Sequence, residues 1–215
     1  MGKALSFNGT NNYIDITGFT DAGTTHTFEC WVKATNNNNL QAIMDAQTGG
    51  LIVAWGADLG NQVGFFDGLW KYFGNIPTTG VWLHLAFRFN ASTSKATVLV
   101  NGELYGLEVD YTAKAIGGAV RIGSRYDSTS VFFGGLMADF RIWNTYRTQA
   151  EIKANMYHRL IGTETGLTGY WKMNEGTGPT AYNSVSGVTN GTITGATWVE
   201  GVPILDSNAL FGMNF

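Results

Sequence analysis

An aromatic-rich segment is the most suggestive chemical feature of the sequence. Between Phe65 and Phe73 it carries more rings than the buried face of one strand requires, with polar side chains among them. Exposed rings stack on the faces of sugars, and nearby polar groups bind the hydroxyls. The alternative is that the rings fill the core, the commoner role of Trp in a sandwich. The predicted sugar-binding residues are Trp55, Asp67, Trp70, Tyr72, Asn75, Arg125 and Tyr126.

The acidic residues are not spaced for glycoside hydrolysis. A retaining glycosidase needs two carboxylates about 5–5.5 Å apart. The densest acidic group, Glu103, Glu108 and Asp110, follows an Asn-Gly hairpin signal, where solvated charge is the simpler interpretation. Glu29 lies within a strand pattern, and a lone carboxylate there is expected to hydrogen-bond a neighbouring strand or loop. A hydrolase or lyase is therefore the least favoured class of function.

The three histidines and the single cysteine lack catalytic or metal-binding motifs. His26, His84 and His158 stand outside any nucleophile–base pattern, and His/Cys spacing of the zinc type is absent. Cys30 lies between Glu29 and Trp31 in a strand pattern, which is typical of a small buried hydrophobe. We therefore predict no catalytic residues and a protein that is not an enzyme.

The low charge of the chain limits its partners. Only 13% of the 215 residues are charged, the net charge is −3, and no Lys/Arg cluster occurs. Nothing here attracts a phosphate backbone or an anionic membrane, so we expect no nucleic-acid partner. No apolar run approaches the roughly 18 residues of a spanning helix, and we expect neither membrane insertion nor a signal peptide in this chain.

Alternating apolar residues predict many short strands. The clearest run is 81–89, in which Leu83, Leu85 and Phe87 share one face and His84 points to the other. Asn101-Gly102 suits a type I′ hairpin, so a meander is expected here. The other strands are predicted at 4–7, 13–16, 27–32, 50–55, 62–66, 96–100, 119–123, 136–143, 169–173 and 191–198.

One segment is predicted to be helical. Thr148 and Glu151 have the spacing of a capping box, and the apolar residues that follow favour one short helix near 148–160. The length of the chain suits a single large sandwich, which we place at 1–203. Residues 204–215 then form a C-terminal tail with apolar side chains.

Five ordered segments point to a family. They are ALSFNGTNNYIDI (4–16), HTFECWVKA (26–34), the meander 80–106, GGLMADFRIWNTYRTQAEI (134–152) and the closing segment 166–198. Together they resemble the laminin-G-like jelly rolls of the concanavalin A-like lectin/glucanase superfamily over nearly the whole chain. The resemblance implies an all-β fold, a two-sheet antiparallel jelly-roll sandwich. It does not specify the function, because this fold carries lectins, adhesion modules, hydrolases and lyases.

The resemblance also implies a structural calcium ion. In related jelly rolls Ca²⁺ ties the opening turn to a late strand, and the matching residues here are Asn8, Gly9, Asn11, Asn12 and Asp139. Calcium takes oxygen ligands, which these residues supply. The family's common Asp in the opening turn is Asn8 in this chain, and this loss of charge weakens the expected site.

Two non-enzymatic functions remain open. The fold, the missing acid pair and the aromatic segment favour a carbohydrate-binding or adhesion module of lectin type, with a glycan or cell-surface partner. The apolar tail favours a structural or display protein, such as a virion decoration or fibre domain, that forms a homo-oligomer through the tail. Both hypotheses predict an extracellular, cell-surface or virion location.

Overall fold

The computed structural model describes residues 2–19, 23–47, 49–57, 62–75, 78–126 and 131–204. Within these ranges the chain forms sixteen strands and one helix. In chain order these are β1 (Gly2–Asn8), β2 (Tyr13–Phe19), β3 (His26–Ala34), β4 (Gln41–Ala46), β5 (Leu51–Ala57), β6 (Gln62–Phe66), β7 (Trp70–Asn75), β8 (Leu83–Asn90), β9 (Lys95–Val100), β10 (Glu103–Asp110), β11 (Gly118–Ile122), β12 (Gly134–Trp143), α1 (Gln149–Asn155), β13 (Leu167–Trp171), β14 (Thr180–Ala181), β15 (Gly191–Thr194) and β16 (Thr197–Val202).

The strands form two antiparallel sheets, which confirms the predicted sandwich. Over the described residues each sheet has eight strands. The first runs in the order β10-β9-β8-β3-β12-β1-β16, with β13 paired to β12, and the second in the order β14-β15-β2-β11-β4-β5-β6-β7. Strands from both ends of the chain are neighbours, since β16 pairs with β1 and β15 with β2. Among the described residues, no helix is long and apolar enough to span a bilayer.

The inner faces of the two sheets meet in an aromatic core. Phe87 and Phe89 of β8 share the alternating face predicted from the sequence, and both are fully buried. Across the sandwich, the ring of Phe89 lies 5.0 Å from that of Phe65 on β6, and the ring of Phe87 lies 6.1 Å from that of Phe73 on β7. This burial is the main stabilising term of the fold. Cys30 is buried in the same core, as predicted.

The outer face of the first sheet is covered by α1 and its flanking segments. The predicted capping box is present: Glu151 N–H donates to Thr148 Oγ1, and Thr148 N–H donates to Glu151 Oε2 at 2.7 Å. Ile152 then packs on Ala86 and Leu99 of the sheet. The helix begins where expected and ends at Asn155, earlier than the predicted 160.

A buried ionic cluster lies under this cover. Glu29 is fully buried, and its carboxylate lies 3.4 Å from His84 Nε2, 3.6 Å from Arg141 Nη1 and 3.5 Å from Arg147 Nε. Burial alone raises the pKa of Glu29, but the neighbouring His84, Arg141 and Arg147 outweigh burial and hold that pKa below its ordinary value. Glu29 therefore stays ionised and binds the covering segment to the sheet.

The observed strands differ from the sequence prediction at several positions, and the two-residue β14 is one strand that was not predicted. The single strand predicted at 191–198 is two strands in different sheets, β15 and β16, because Gly195 turns the chain with φ +72°. β4 and β7 were not predicted as strands.

The proposed tail lies outside the described residues from 205 onward, so its role in assembly stays a prediction.

We expect Glu29→Gln to lower the free energy of unfolding at neutral pH by about 3 kcal/mol, because it removes the carboxylate beside the buried Arg147 and one of the two carboxylates beside Arg141. The wild-type protein should also lose stability in acid. A carboxylate with a depressed folded pKa stabilises the fold above its ordinary value of 4.5, and this contribution is lost as pH falls through the folded pKa.

Urea unfolding measured from neutral pH to below pH 4.5 checks both expectations. Glu29→Gln should flatten the acid-dependent part of the wild-type profile. The exposed Glu108→Gln serves as control and should follow the wild type. If Glu29→Gln and the wild type showed the same dependence of unfolding free energy on pH, the result would contradict the role of this cluster.

Candidate functional site

The outer face of the second sheet carries a row of side chains across six strands. Residues directly opposite each other in antiparallel strands point to the same face. The strand register therefore places one continuous row on this face. Its members, from β2 to β7, are Asp15, Arg121, Asp45, Ile52, Phe66 and Trp70.

The β6–β7 end of this row is aromatic. The rings of Phe66 and Trp70 lie 5.4 Å apart, and both side chains are half-buried. Tyr72 is two residues further along β7 and lies over Gly64, where a Cβ would come within 2.8 Å of the tyrosine ring. Because Gly64 has no side chain, the Tyr72 ring can lie close to the sheet. The result is a strip of rings on the face opposite the core.

Arg121 holds the other end of the row. Its Nε and Nη2 donate to the two carboxylate oxygens of Asp15, at 2.7 and 3.1 Å, and its Nη1 donates to the carbonyl oxygen of Tyr126 at 3.0 Å. The guanidinium also stacks on the rings of Tyr13 and Tyr126, 4.0 and 4.5 Å from their centroids. This bidentate and stacked arrangement suits Arg and not Lys. Arg121 thus fixes Tyr126 beside the face.

A cavity of about 200 Å³ lies between the aromatic strip and Tyr126. Asp45 in its wall is almost fully buried, and its Oδ2 accepts the backbone N–H of Tyr126 at 2.9 Å. Phe66 and Tyr126 supply half-buried rings, while Gln47 and Arg125 supply polar groups. Rings beside a few polar groups are the composition expected of a site for sugars. The lining residues are Asp45, Gln47, Gly50, Ile52, Phe66, Arg125 and Tyr126.

Four of the predicted sugar-binding residues lie on or beside this face: Trp70, Tyr72, Arg125 and Tyr126. The cavity residues that sequence reasoning missed are Asp45, Gln47, Gly50, Ile52 and Phe66. Two of these, Asp45 and Ile52, are buried on strands in which both faces are covered. Such strands lack the alternation of apolar and polar residues that reveals an outer face in the sequence. Phe66 was visible as part of the aromatic segment.

The other three predicted residues do not line the cavity. Trp55 is fully buried in the core, and its indole N–H donates to Asn36 O at 3.3 Å, so its ring is closed to a ligand. Asp67 is buried in the β6–β7 turn, where it binds Lys71 Nζ at 2.7 Å and accepts Thr112 N–H at 2.6 Å. Asn75 is exposed at the far end of β7, away from the cavity. We leave these three out of the site.

The residues expected to bind calcium are not brought together. Asn8 pairs with Gly134 at the start of β12, whereas Asp139 lies five residues further along that strand. Asp139 is buried there, where Tyr170 Oη donates to it at 2.5 Å and Arg141 forms an ion pair with it. The register thus places Asp139 apart from the opening turn, and calcium binding stays a prediction.

The opening turn by itself does not fit a calcium ion. Asn8 Oδ1 accepts the N–H groups of Thr10 and Asn11, at 2.9 and 3.1 Å, and Asn12 Oδ1 accepts Asn8 N–H at 2.9 Å. Its side-chain oxygens are therefore already hydrogen-bonded, and none of them is a carboxylate, the ligand that Ca²⁺ binds most strongly in proteins. Among the described residues no cluster of three or more His, Cys, Asp or Glu side chains is placed to hold a metal ion.

Two carboxylates do lie near one another, but not in an open site. Glu29 and Asp139 bind opposite ends of the Arg141 guanidinium, and all three side chains are enclosed beneath the covering segment. A glycosidase pair must reach a sugar from both sides of the scissile bond. These two groups are shielded from solvent and neutralised by arginine, so they act as structural charges.

Comparison with known proteins identifies the fold family. A family model described as the concanavalin A-like lectin/glucanases superfamily matches residues 8–153. A Bacteroides ovatus protein with a proposed carbohydrate-binding role is 24% identical, with a TM-score of 0.79 over 95% of this chain and 62% of its own. This chain therefore spans about three fifths of that protein's length. A heptameric SAP-like pentraxin from Limulus polyphemus is 18% identical, with a TM-score of 0.61 over 71% of this chain and 80% of its own. No curated protein matches the sequence.

We expect Arg121→Lys to destabilise the protein by about 2 kcal/mol, because lysine keeps the charge but loses the bidentate contact with Asp15 and the stacking on two tyrosines. Urea unfolding measures the effect. Lys95→Ala, which removes a solvent-exposed ion pair with Asp110, is the control and should leave the midpoint nearly unchanged. Equal losses in the two variants would argue against a special role for Arg121.

Proposed function

The chain belongs to the concanavalin A-like lectin/glucanases superfamily, and on that premise we propose that it is a non-catalytic carbohydrate-binding module of lectin type. The observation that carries the proposal is the cavity on the outer face of the second sheet, where the rings of Phe66 and Tyr126 stand beside Asp45, Gln47 and Arg125. The similar solved structures support the fold, and the binding role rests on this cavity.

A sugar ring is proposed to stack on Tyr126 or Phe66. The apolar face of a pyranose is complementary to an aromatic ring, and its hydroxyls need partners at the edge of the contact. Gln47 and Arg125 stand at that edge. Trp70, which contacts Phe66, extends the ring surface toward the edge of the sheet and suits a second sugar unit.

Two hydrogen bonds fix the backbone of Tyr126 in the site. The backbone of Tyr126 is held on both sides, since its N–H donates to Asp45 and its carbonyl oxygen accepts from Arg121. A preorganised site loses less entropy on binding, which matters for sugars because they gain little energy per contact. Tyr126→Ala keeps both backbone hydrogen bonds but removes the stacking of the ring on Arg121, whereas Tyr126→Phe keeps that stacking.

The proposal of a non-catalytic role rests on the carboxylates of the described residues. Asp45 is the one carboxylate that lines the cavity among those residues, so the pair that glycoside hydrolysis requires is not assembled there. An extracellular or cell-surface location and a glycan partner are part of the same proposal.

We expect the wild-type protein to bind at least one glycan on an array, and Tyr126→Ala to weaken that binding by roughly tenfold, because a stacking ring contributes about 1 kcal/mol beyond its buried area. Tyr126→Phe keeps the ring and should retain most of the affinity. Isothermal titration with the glycan found on the array measures the three dissociation constants.

Tyr182→Ala is the matched control, since Tyr182 is an exposed tyrosine just after β14, at the opposite edge of the same sheet. It should bind as the wild type does. Absence of binding to every glycan on the array, or equal affinity of Tyr126→Ala and wild type, would refute the proposal.

A further inference from the structure

A second cavity, of about 270 Å³, lies at one end of the sandwich. It is formed where β1 and β3 end and where β4 and β12 begin, beside the opening turn and the segment 35–40. We propose that this cavity is a second binding site, for a neutral polyhydroxylated group such as a sugar ring, separate from the cavity on the outer face. Its polar lining consists of Asn8, Thr35, Asn36, Asn39 and Gln41.

The segment that carries Asn36 and Asn39 is fixed by buried contacts. The carbonyl oxygen of Asn36 accepts Gln41 Nε2 at 3.0 Å and the Trp55 indole N–H at 3.3 Å. Gly56 adopts φ +72°, and a Cβ there would come within 2.3 Å of Asn39 O, so the absence of a side chain lets the segment lie against β5. Gln41 Oε1 also accepts Gly134 N–H at 2.9 Å, which joins the segment to β12. The cavity wall is therefore built before a ligand binds.

Several polar groups on this wall have no protein partner. Asn36 Oδ1 accepts Asn38 N–H and Gln41 Nε2, at 3.3 and 3.2 Å, which leaves its Nδ2 without a partner among the described residues. The side chains of Asn39 and Thr35 likewise form no hydrogen bond within the described ranges. A carboxamide and a hydroxyl each both donate and accept, as sugar hydroxyls do. The wall thus offers the complementary groups that a sugar needs.

The cavity is suited to a neutral ligand because every described side chain that lines it is uncharged. A divalent cation or an anion would lose its hydration shell there without a counter-charge. The apolar part of the lining consists of Leu40, two glycines and the rings of Phe7 and Phe132, and Phe132 is half-buried, so it presents part of its ring to the cavity. One ring with several uncharged polar groups is again the composition of a sugar site.

The two cavities are separate sites. Gln41 lines the cavity at the end and Asp45 the cavity on the face, and both lie on β4. Four residues of strand correspond to about 13 Å. Each site can therefore be disabled by substitution without contact with the other.

The test uses ¹⁵N-labelled Tyr126→Ala, in which the face site is disabled, and follows the side-chain amide signals of Asn36 and Asn39 by NMR. The probes are the methyl glycosides of glucose, galactose, mannose and N-acetylglucosamine, and separately calcium chloride. At least one glycoside should shift both signals in a saturable way. Adding Asn39→Ala should then raise its Kd about fivefold, the loss expected for one neutral hydrogen bond.

Two further variants sharpen the result. Asn36→Asp keeps the oxygen that accepts Asn38 N–H and removes the Nδ2 donor, so it should weaken glycoside binding by a similar factor without disturbing the segment. Asn38→Ala is the control, because Asn38 is exposed on the same segment and does not line the cavity. Asn38→Ala in the Tyr126→Ala protein should bind the glycoside with the same Kd as Tyr126→Ala alone.

Absence of shifts with all four glycosides would overturn the proposal, and so would saturable shifts with calcium chloride in place of a glycoside. Neither result would affect the role of the outer face, which is measured separately by the loss of glycan binding in Tyr126→Ala. Conversely, glycoside shifts at Asn36 and Asn39 would stand even if the outer face bound no glycan.

Discussion

A buried carboxylate determines which face of this sandwich can bind a ligand. Glu29 points away from the core, on the outer face of the first sheet, and an ionised group there needs compensating charge once it is removed from water. Arg141 supplies that charge from the next strand, and Arg147 supplies it from the segment that leads into α1. The segment must therefore lie over the sheet, and α1 follows it. The segment and α1 thus cover the middle of the outer face of the first sheet, whereas the outer face of the second sheet presents an open cavity.

An arginine–carboxylate pair also organises the outer face of the second sheet. Arg121 is bound by Asp15 and stacked between Tyr13 and Tyr126, and three of its five N–H groups donate to protein oxygens. Such an arginine is a structural support for the aromatic rings and leaves few donors for a ligand. The groups that this face offers to the proposed ligand are then the rings and the polar side chains at the cavity edge, a composition that suits sugars better than anions.

The sequence was informative wherever a strand had one buried and one polar face, and it was silent where both faces are covered. The run 81–89 alternates, so the core side of β8 could be predicted. β4 is buried at every position and has no alternation, so neither the strand nor Asp45 was found. On β5 both faces are apolar, and sequence alone could not tell that Trp55 shares the inner face with Val53 while Ile52 faces out. Register decides that choice, and register comes from tertiary pairing.

Register also explains why the predicted calcium ligands do not lie together, and their separation has a chemical consequence. The resemblance paired Asn8 with Asp139, but the register of β1 and β12 sets Asn8 opposite Gly134. Without a carboxylate beside it, the opening turn becomes part of an uncharged wall with Gln41 and Asn36. The chain has only 13% charged residues, and the wall of this cavity carries amide groups and no charged side chain among the described residues. Amides bind hydroxyl groups without the desolvation penalty of an ion. A wall without charged side chains is therefore poorly suited to a cation and well suited to a neutral sugar.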